Sequence, residues 1–317
     1  MNKKLTRLLC ALILLFATIS TVSACSNKVP TTENAITFID ALGREVTLEK
    51  EPQRVAALIG SFADVWMLSG GSVCAAPEEA WTDYHLDLPD AVDVGGAHSP
   101  NLELLLSSEP DFVIASASTA SNVEMLEILE SAQITVAFFD VDNFEDYLQM
   151  LGICTSITGR KDLYERNGME IQKKIEDIKA AFAQSELTDQ QRTVLLLRAH
   201  SGAVKAKGSE GTILGEMLSD LGCINIADSD TSMLENLSVE SVIRQNPYRI
   251  FVVTMGDNRD KAIRNLNQML ESNPAWSELD AIRQDRLHFV DRALFNSKPN
   301  ARWAESYETL SDIFLEK

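Results

Sequence analysis

Two α/β lobes, each built around a parallel sheet and joined by one long helix, are predicted by three features of this sequence. Short apolar runs rich in Val, Ile and Phe alternate with amphipathic stretches along most of the chain, the pattern of strand and helix units whose sheets are covered on both faces. One stretch breaks that rhythm: residues 159–184, GRKDLYERNGMEIQKKIEDIKAAFAQ, read as a single amphipathic helix, and the alternation restarts beyond it. The length of 317 residues is more than one typical domain holds and suits two.

The chain opens with a positive segment, MNKKLTR, then an apolar run, LLCALILLFAT, then small residues, ISTVSAC. Taken in that order they make residues 1–24 an export signal, and the apolar run is too short to span a bilayer comfortably. The tetrapeptide Val22, Ser23, Ala24, Cys25 resembles a bacterial lipobox, in which Cys25 takes a lipid and becomes the mature N-terminus; plain cleavage beside an incidental cysteine is the alternative. Residues 25–35 then read as the lipidated N-terminus and a polar tether of about ten residues. Cleavage removes Lys3, Lys4 and Arg7 and no acid, taking the formal charge from −19 to −22. So acidic a surface repels phosphate backbones, which excludes nucleic acid as a partner class. Of the five cysteines, Cys74, Cys154 and Cys223 remain, in apolar contexts without CxxC spacing, and read as buried thiols rather than a disulfide framework.

The first lobe is expected over residues 36–158. ITFIDALGREVTL alternates about Gly43, which predicts a hairpin of strands 36–39 and 45–48. Residues 54–59, RVAALI, form a continuous apolar run of the buried-strand type, followed by the helix FADVWMLSGG, closed by glycines. The unit repeats as SVCAA and a loop carrying Trp81; VDVGGAHSPN and the helix LELLLSS; DFVIAS and NVEMLEILESA; ITVAFFD and FEDYLQMLGICTSI.

The connecting helix, residues 159–185, carries Leu163, Ile171, Ile175, Ile178 and Phe182 at spacings of three, four or eight, one apolar stripe. Its length is about 35 Å at 1.5 Å per residue. Gly168 is its weak point, costing about 1 kcal/mol against alanine, and is expected to mark a bend. The second lobe, residues 186–317, reads as strand RTVLLLRAH, helix GTILGEMLSDLG, strand CINIA, helix SVESVIRQN, strand RIFVVTMGD, helix DKAIRNLNQMLE, strand and loop RLHFVDRALF, and closing helix NARWAESYETLSDIFLE.

Open α/β sheets bind ligands outside the carboxyl ends of their strands. Those ends are Gly60 and Ser61, Trp81, His98 and Ser99, Ser116 to Ser118, and Phe139 and Asp140 in the first lobe. In the second they are Arg198 to His200, Met255 to Asp257, and Arg292 to Phe295.

Four blocks, DALGREVTLEKEPQRVAAL, VGGAHSPNLELLLSSEPDFVIAS, LSVESVIRQNPYRIFVV and NPAWSELDAIRQDRLHFVD, resemble the substrate-binding lipoproteins of ABC importers for iron complexes (siderophores), haem and cobalamin, with the class III periplasmic-binding-protein fold. The resemblance covers nearly the whole mature chain. It implies two Rossmann-like lobes with a ligand cleft between them, modest closure on binding, capture of an iron chelate, haem or cobalamin, and delivery to a permease and its ATPase. It further implies a monomer held outside the cell membrane by the lipid on Cys25. Glu103, in NLELL, and Glu240, in LSVESVI, match the two glutamates of the family that meet arginines of the permease. Each is also an ordinary first-turn charge, favoured by the helix dipole by about 0.3 to 1 kcal/mol.

The candidate ligand cleft comprises Ser61, Phe62, Trp81, His98, Ser116, Ser118, Arg198, His200, Met255, Arg292, Phe295 and Arg302. Arg198, Lys207, Arg292, Lys298 and Arg302 gather near second-lobe strand ends in an otherwise acidic chain, where they suit an anionic ligand. Trp81, Phe62, Met233, Met255, Phe295 and Trp303 are candidate apolar walls, with Trp303 and Trp276 better placed in the core because each sits in a helical pattern. The histidines, His85, His98, His200 and His288, share no HxH or HxxxH spacing. His98 and His200 fall on opposing strand-end loops as a pair that could grip a metal; polar loop residues is the simpler reading, and His288 reads as structural. Gly208, Ser209 and Gly211 fit no phosphate loop, and no nucleophile has a base at a motif spacing, so an enzyme is not expected. No cofactor is expected beyond the transported ligand. A carrier of a bare metal ion and a ligand-sensing lipoprotein without a transport role are the alternatives.

Overall fold

The computed structural model describes residues 35–256 and 258–316. The export signal, Cys25, the tether up to residue 34, Asp257 and Lys317 lie outside the described residues.

The chain enters through an antiparallel hairpin, β1 (Ile36–Ile39) and β2 (Glu45–Leu48), with Ile36 opposite Leu48. Its turn is organised by Asp40, whose side chain is fully buried and accepts from the Leu42 and Arg44 amides and the Arg44 guanidinium. The same carboxylate accepts from the Phe138 amide, Ala41 donates to the Phe138 carbonyl, and Arg44 donates to the Val136 carbonyl. The turn therefore occupies the backbone edge of strand β7 (Thr135–Phe139), which would otherwise be open for pairing.

The first sheet runs β5-β4-β3-β6-β7, all parallel: β3 (Val55–Ala57), β4 (Val73–Ala76), β5 (Val92–Asp93) and β6 (Phe112–Ser116). Between them lie α1 (Gly60–Leu68), α2 (Glu79–Thr82), α3 (Leu102–Ser107), α4 (Ala120–Glu124) and α5 (Leu126–Ser131). Helix α6 (Phe144–Ile157) follows β7 and begins with a capping box between Asn143 and Asp146.

The connecting stretch is helical as α7 (Lys161–Tyr164), a π turn (Glu165–Met169) and α8 (Glu170–Ala183). The π turn holds Gly168, which is closely packed. A Cβ on Gly168 would stand 2.9 Å from Leu148 Cδ2 and 3.2 Å from Leu151 Cδ2, both on α6. The Tyr147 hydroxyl donates to the Asn167 carbonyl at 2.7 Å, and Asn167 Nδ2 donates to the Leu68 carbonyl at 2.7 Å. Neighbouring helices thus take up the backbone group that the π turn frees.

The second sheet runs β10-β8-β11-β12 in parallel: β8 (Thr193–Ala199), β10 (Ile224–Asn225), β11 (Arg249–Thr254) and β12 (Leu287–Val290). One strand departs from the expected pattern: β9 (Val204–Lys207) is antiparallel to β8 and pairs with its second half, while β10 pairs with its first two residues. VKAK is short and lysine-rich, so its β preference is weak, and it forms because the turn after β8 closes on itself through His200 N to Ala203 O. The helices here are α9 (Ile213–Asp220), α10 (Thr231–Asn236), α11 (Val239–Gln245), α12 (Arg259–Ser272), α13 (Asp280–Arg283), α14 (Arg292–Phe295) and α15 (Trp303–Leu315).

Alternate strand residues divide the core into three parts. Val113, Ala115 and Phe138 pack on the α3 and α5 side of the first sheet; Leu195, Leu197, Ile250 and Val252 pack on the α12 side of the second. The opposite faces, through Ile114 and Phe139 of the first sheet and Leu196 and Phe251 of the second, belong to one apolar cluster that runs through Ile171, Ile175 and Phe182 of α8. Phe144 meets Trp303 at 5.9 Å, and Phe182 meets Phe314 at 5.4 Å, both edge-on, so α15 closes the shared core. Trp276 and Trp303 are both fully buried.

Candidate functional site

β3 delivers Gly60 and Ser61 to the start of α1, where a Cβ on Gly60 would stand 2.6 Å from Glu79 Cγ; the missing side chain lets α1 and α2 meet. Ser61 is buried and Phe62 is 1% exposed, its ring edge-on to Phe139 at 6.3 Å. β4 leads to Glu79, half-buried Trp81 and Asp83, β5 to the exposed His98 and Ser99, and β7 to Asp140 and Asp142. β6 ends on Ser116, which is buried with its hydroxyl 3.0 Å from that of exposed Ser118. Burial raises the Glu79 carboxyl pKa, and the Ala97 amide, which donates to it, partly opposes the shift.

Several expected cleft residues are core residues instead. Phe62, Phe295 and Met233 are all at most 1% exposed, because each faces inward from a short helix that the strand-end rule cannot orient. Ser61, on α1, is covered for the same reason, and Ser116, the last residue of β6, is buried as well. Trp81 and Met255 remain as accessible apolar groups, Met255 at 39% exposure.

The cations divide into two groups. Arg292 Nη2 donates to Asp83 Oδ2 at 2.9 Å, and Arg302 holds Glu305 with two bonds of 2.7 Å. Lys298 is desolvated, which pushes its pKa down, and Asp142, Asp140 and Asp146 partly offset that shift. These three cations already face acids. Arg198 and Lys207 face none among the described residues: the register sets Arg198 opposite Lys205 and Leu196 opposite Lys207, and cross-strand partners share a face. Arg198, Lys205 and Lys207 therefore lie together on one face of the β8 and β9 hairpin. None has a carboxylate within ion-pair distance among the described residues, and Arg198 Nε is buried without a hydrogen-bond partner. Burial lowers the pKa of Arg198; Lys207 is lowered by burial first and then by Arg198 and Lys205. Lys205 escaped the sequence because β9 did, although the alternation VKAK directly after a buried strand was its signal.

His98 is exposed, while His200 is half-buried and its Nδ1 accepts from the Gly202 amide at 3.1 Å. Among the described residues no three His, Cys, Asp or Glu side chains group as a metal site. His288 packs against Phe251 at 5.5 Å, and burial lowers its pKa.

The strand-end surfaces of the two sheets are tied directly. Besides the bond from Arg292 to Asp83, the Tyr84 hydroxyl donates to the Lys298 carbonyl at 3.2 Å, and Asn300 Nδ2 donates to Ser61 O at 2.9 Å and Asp64 Oδ2 at 2.8 Å. Burial raises the Asp64 pKa, and the Asn300 bond opposes the rise. Two cavities lie elsewhere: about 340 Å³ between the hairpin and α6, lined by Phe38, Leu148 and Tyr164, and about 310 Å³ between α6, α9 and α15, lined by Glu145, Glu216 and Tyr307. Neither includes a strand-end cation. Glu103 and Glu240 are exposed in the first turns of α3 and α11, without an ion pair among the described residues.

A family model described as periplasmic binding protein matches residues 55–294. An uncharacterized ABC transporter substrate-binding lipoprotein of Bacillus subtilis is 23% identical over 279 residues, which covers 87% of this chain and 84% of the relative. The Fe(3+)-citrate-binding protein of the same organism is 25% identical over 283 residues, covering 86% and 83%. Among solved structures, Staphylococcus aureus SirA complexed with staphyloferrin B has a TM-score of 0.66 at 23% identity, covering 89% of this chain and 97% of that one.

Proposed function

The chain belongs to the periplasmic binding protein family, a family of binding proteins rather than enzymes, and we propose that it captures an anionic iron chelate outside the cell and hands it to an ABC importer. The observation that carries the choice of cargo is the group Arg198, Lys205 and Lys207, three cations on one face of the β8 and β9 hairpin with no carboxylate in ion-pair distance among the described residues. Three like charges held together, one with a buried unpartnered Nε, cost free energy unless an anion joins them. Carboxylates on a ferric chelate, or the propionates of haem, supply that anion through charge-assisted hydrogen bonds. The Fe(3+)-citrate-binding relative supports the same direction.

Tryptophan fluorescence tests it cleanly, because Trp66, Trp276 and Trp303 are buried and Trp81 is the half-exposed one at a strand end. Titration with ferric citrate or haem is expected to change the emission at lower concentrations than cobalamin, which lacks ionised carboxylates, or zinc and manganese ions. Tight binding of a bare divalent ion, with no response to either carboxylate-bearing ligand, would reverse the assignment. Stimulation of the reconstituted importer's ATPase by the liganded protein separates transport from sensing alone.

Lipid on Cys25 would hold the protein at the membrane; among the described residues no helix is long and apolar enough to cross one. Cys25→Ala is expected to release the protein into the soluble fraction, and retention of the variant in membranes would contradict the anchor.

A further inference from the structure

The bonds that tie the two strand-end surfaces together are of two chemical kinds. Asn300, 1% exposed, donates to the Ser61 carbonyl in a buried bond, while its bond to Asp64 and the bond from Tyr84 to the Lys298 carbonyl are partly buried and each carries a neutral donor. The bond between Arg292 and Asp83 is charged on both sides and only partly buried, with side-chain exposures of 36% and 30% that let water and ions reach it. Arg292 Nε is in addition buried without a partner, so the guanidinium's donors are only partly used. Bonds with a neutral donor persist, whereas a partly exposed ion pair exchanges readily with a competing ion. Of the three ties, the one between Asp83 and Arg292 is the exchangeable one.

From this we propose that Asp83 is a specificity-determining residue: a carboxylate of the first lobe that neutralises Arg292 and that an anionic ligand has to displace. The proposal rests on the reading of the strand ends as an anion-binding site. Asp83 sits at the end of α2, after β4, and Arg292 opens α14, after β12, so both belong to surfaces where α/β sheets receive ligands. A weakly charged ligand gains too little from Arg292 to displace the carboxylate, and a ligand with several ionised carboxylates gains enough. Asp83 thereby selects for high anionic charge at a cost in affinity. The buried bond from Asn300 to the Ser61 carbonyl does not involve either member of the pair, so the exchange does not require the lobes to separate.

A double-mutant cycle read by ferric citrate titration decides the matter. Asp83→Asn keeps the shape and removes the charge, and Asp83→Ser serves if the amide variant folds poorly. Either is expected to tighten ferric citrate binding about fivefold, which is about 1 kcal/mol, and to have no such effect in the Arg292→Gln background. Unchanged or weaker binding by the single variants overturns the proposal, as does equal tightening without Arg292, which would mark a general charge effect. A second arm uses inorganic sulfate: freed Arg292 should let millimolar sulfate raise the Tm of Asp83→Asn more than that of the unaltered protein, and equal shifts overturn the proposal. Should ferric citrate bind neither protein, the cargo assignment fails while the sulfate arm still decides the role of Asp83.

Discussion

Arg249 illustrates how a residue that interrupts an apolar run can be its anchor. RIFVV reads as a buried strand, and the sequence gives no role to its first residue, yet Arg249 is 2% exposed. Its guanidinium donates to the Gln191 carbonyl at 2.9 Å and the Phe314 carbonyl at 3.0 Å, and lies 4.5 Å over the Phe314 ring. These partners are 58 and 65 residues away, which no local pattern reveals. A still longer separation, 209 residues, hid the partner of Arg292, whereas the bond from Arg302 to Glu305 follows ordinary helix spacing and was readable. Beside Arg249, His288 has its pKa lowered by burial first and then by Arg249, with Asp285 acting against and Arg286 with them. A depressed folded pKa means that the unfolded chain takes the proton first as pH falls. The stability that neutral His288 supports is therefore full above the ordinary histidine value of about 6.5 and is lost as pH drops through the lowered folded value. Urea unfolding at pH 7.5 and pH 5.5 should show a larger loss of stability for the unaltered protein than for His288→Gln. Asp64, whose raised pKa acts in the opposite sense, is common to both and cancels in the comparison. Equal losses would contradict the account.

At the scale of elements, the period of the sequence specified most strands and helices because each buries one regular face. The hairpin 36–39 and 45–48 and the helix 144–157 appear with the expected bounds. What the period does not carry is structure made by close approach. Strand β9 and the π turn at Gly168 both depend on a neighbour: the second half of β8 in one case, Leu148 and Leu151 of α6 in the other. Gly168→Ala separates the two explanations for that glycine. Helix propensity alone would stabilise by about 1 kcal/mol, but a Cβ 2.9 Å from Leu148 Cδ2 and 3.2 Å from Leu151 Cδ2 makes both leucine side-chain ends shift, so the gain is expected to be offset and the variant to be no more stable than the unaltered protein. Denaturant titration reads the sign directly, and a stabilised variant would show that the residue is a tolerated bend and no more.

For the whole molecule, the shared apolar cluster along α8 and α15 joins one face of each sheet, so the strand-end surfaces are held in a defined relation by a common core. We propose on that basis that Glu103 and Glu240 act as a pair, two exposed carboxylates, one on each lobe, that a permease would meet together. Glu103→Ala with Glu240→Ala is expected to leave ligand affinity within about threefold, under 1 kcal/mol, while uptake falls sharply, because an ion pair desolvated at an interface is worth far more than one in water. Normal uptake would return both to ordinary first-turn charges. The two-lobed architecture was legible because strand and helix patterns add up along the chain; the proposed ligand site was less so, because it rests on which strand-end cations have no ion-paired acid among the described residues. The measurement that bears most directly on that point is calorimetric titration of ferric citrate into the unaltered protein and into the variant Arg198→Gln, Lys205→Gln, Lys207→Gln. Binding is expected to weaken at least tenfold in the variant, about 1.4 kcal/mol or more, and to lose most of its salt dependence, with Tm unchanged or raised, because the mutual repulsion is relieved and none of the three side chains has a carboxylate within ion-pair distance to lose among the described residues. Unchanged affinity and unchanged salt dependence in a folded variant would contradict the assignment of these three cations to the ligand.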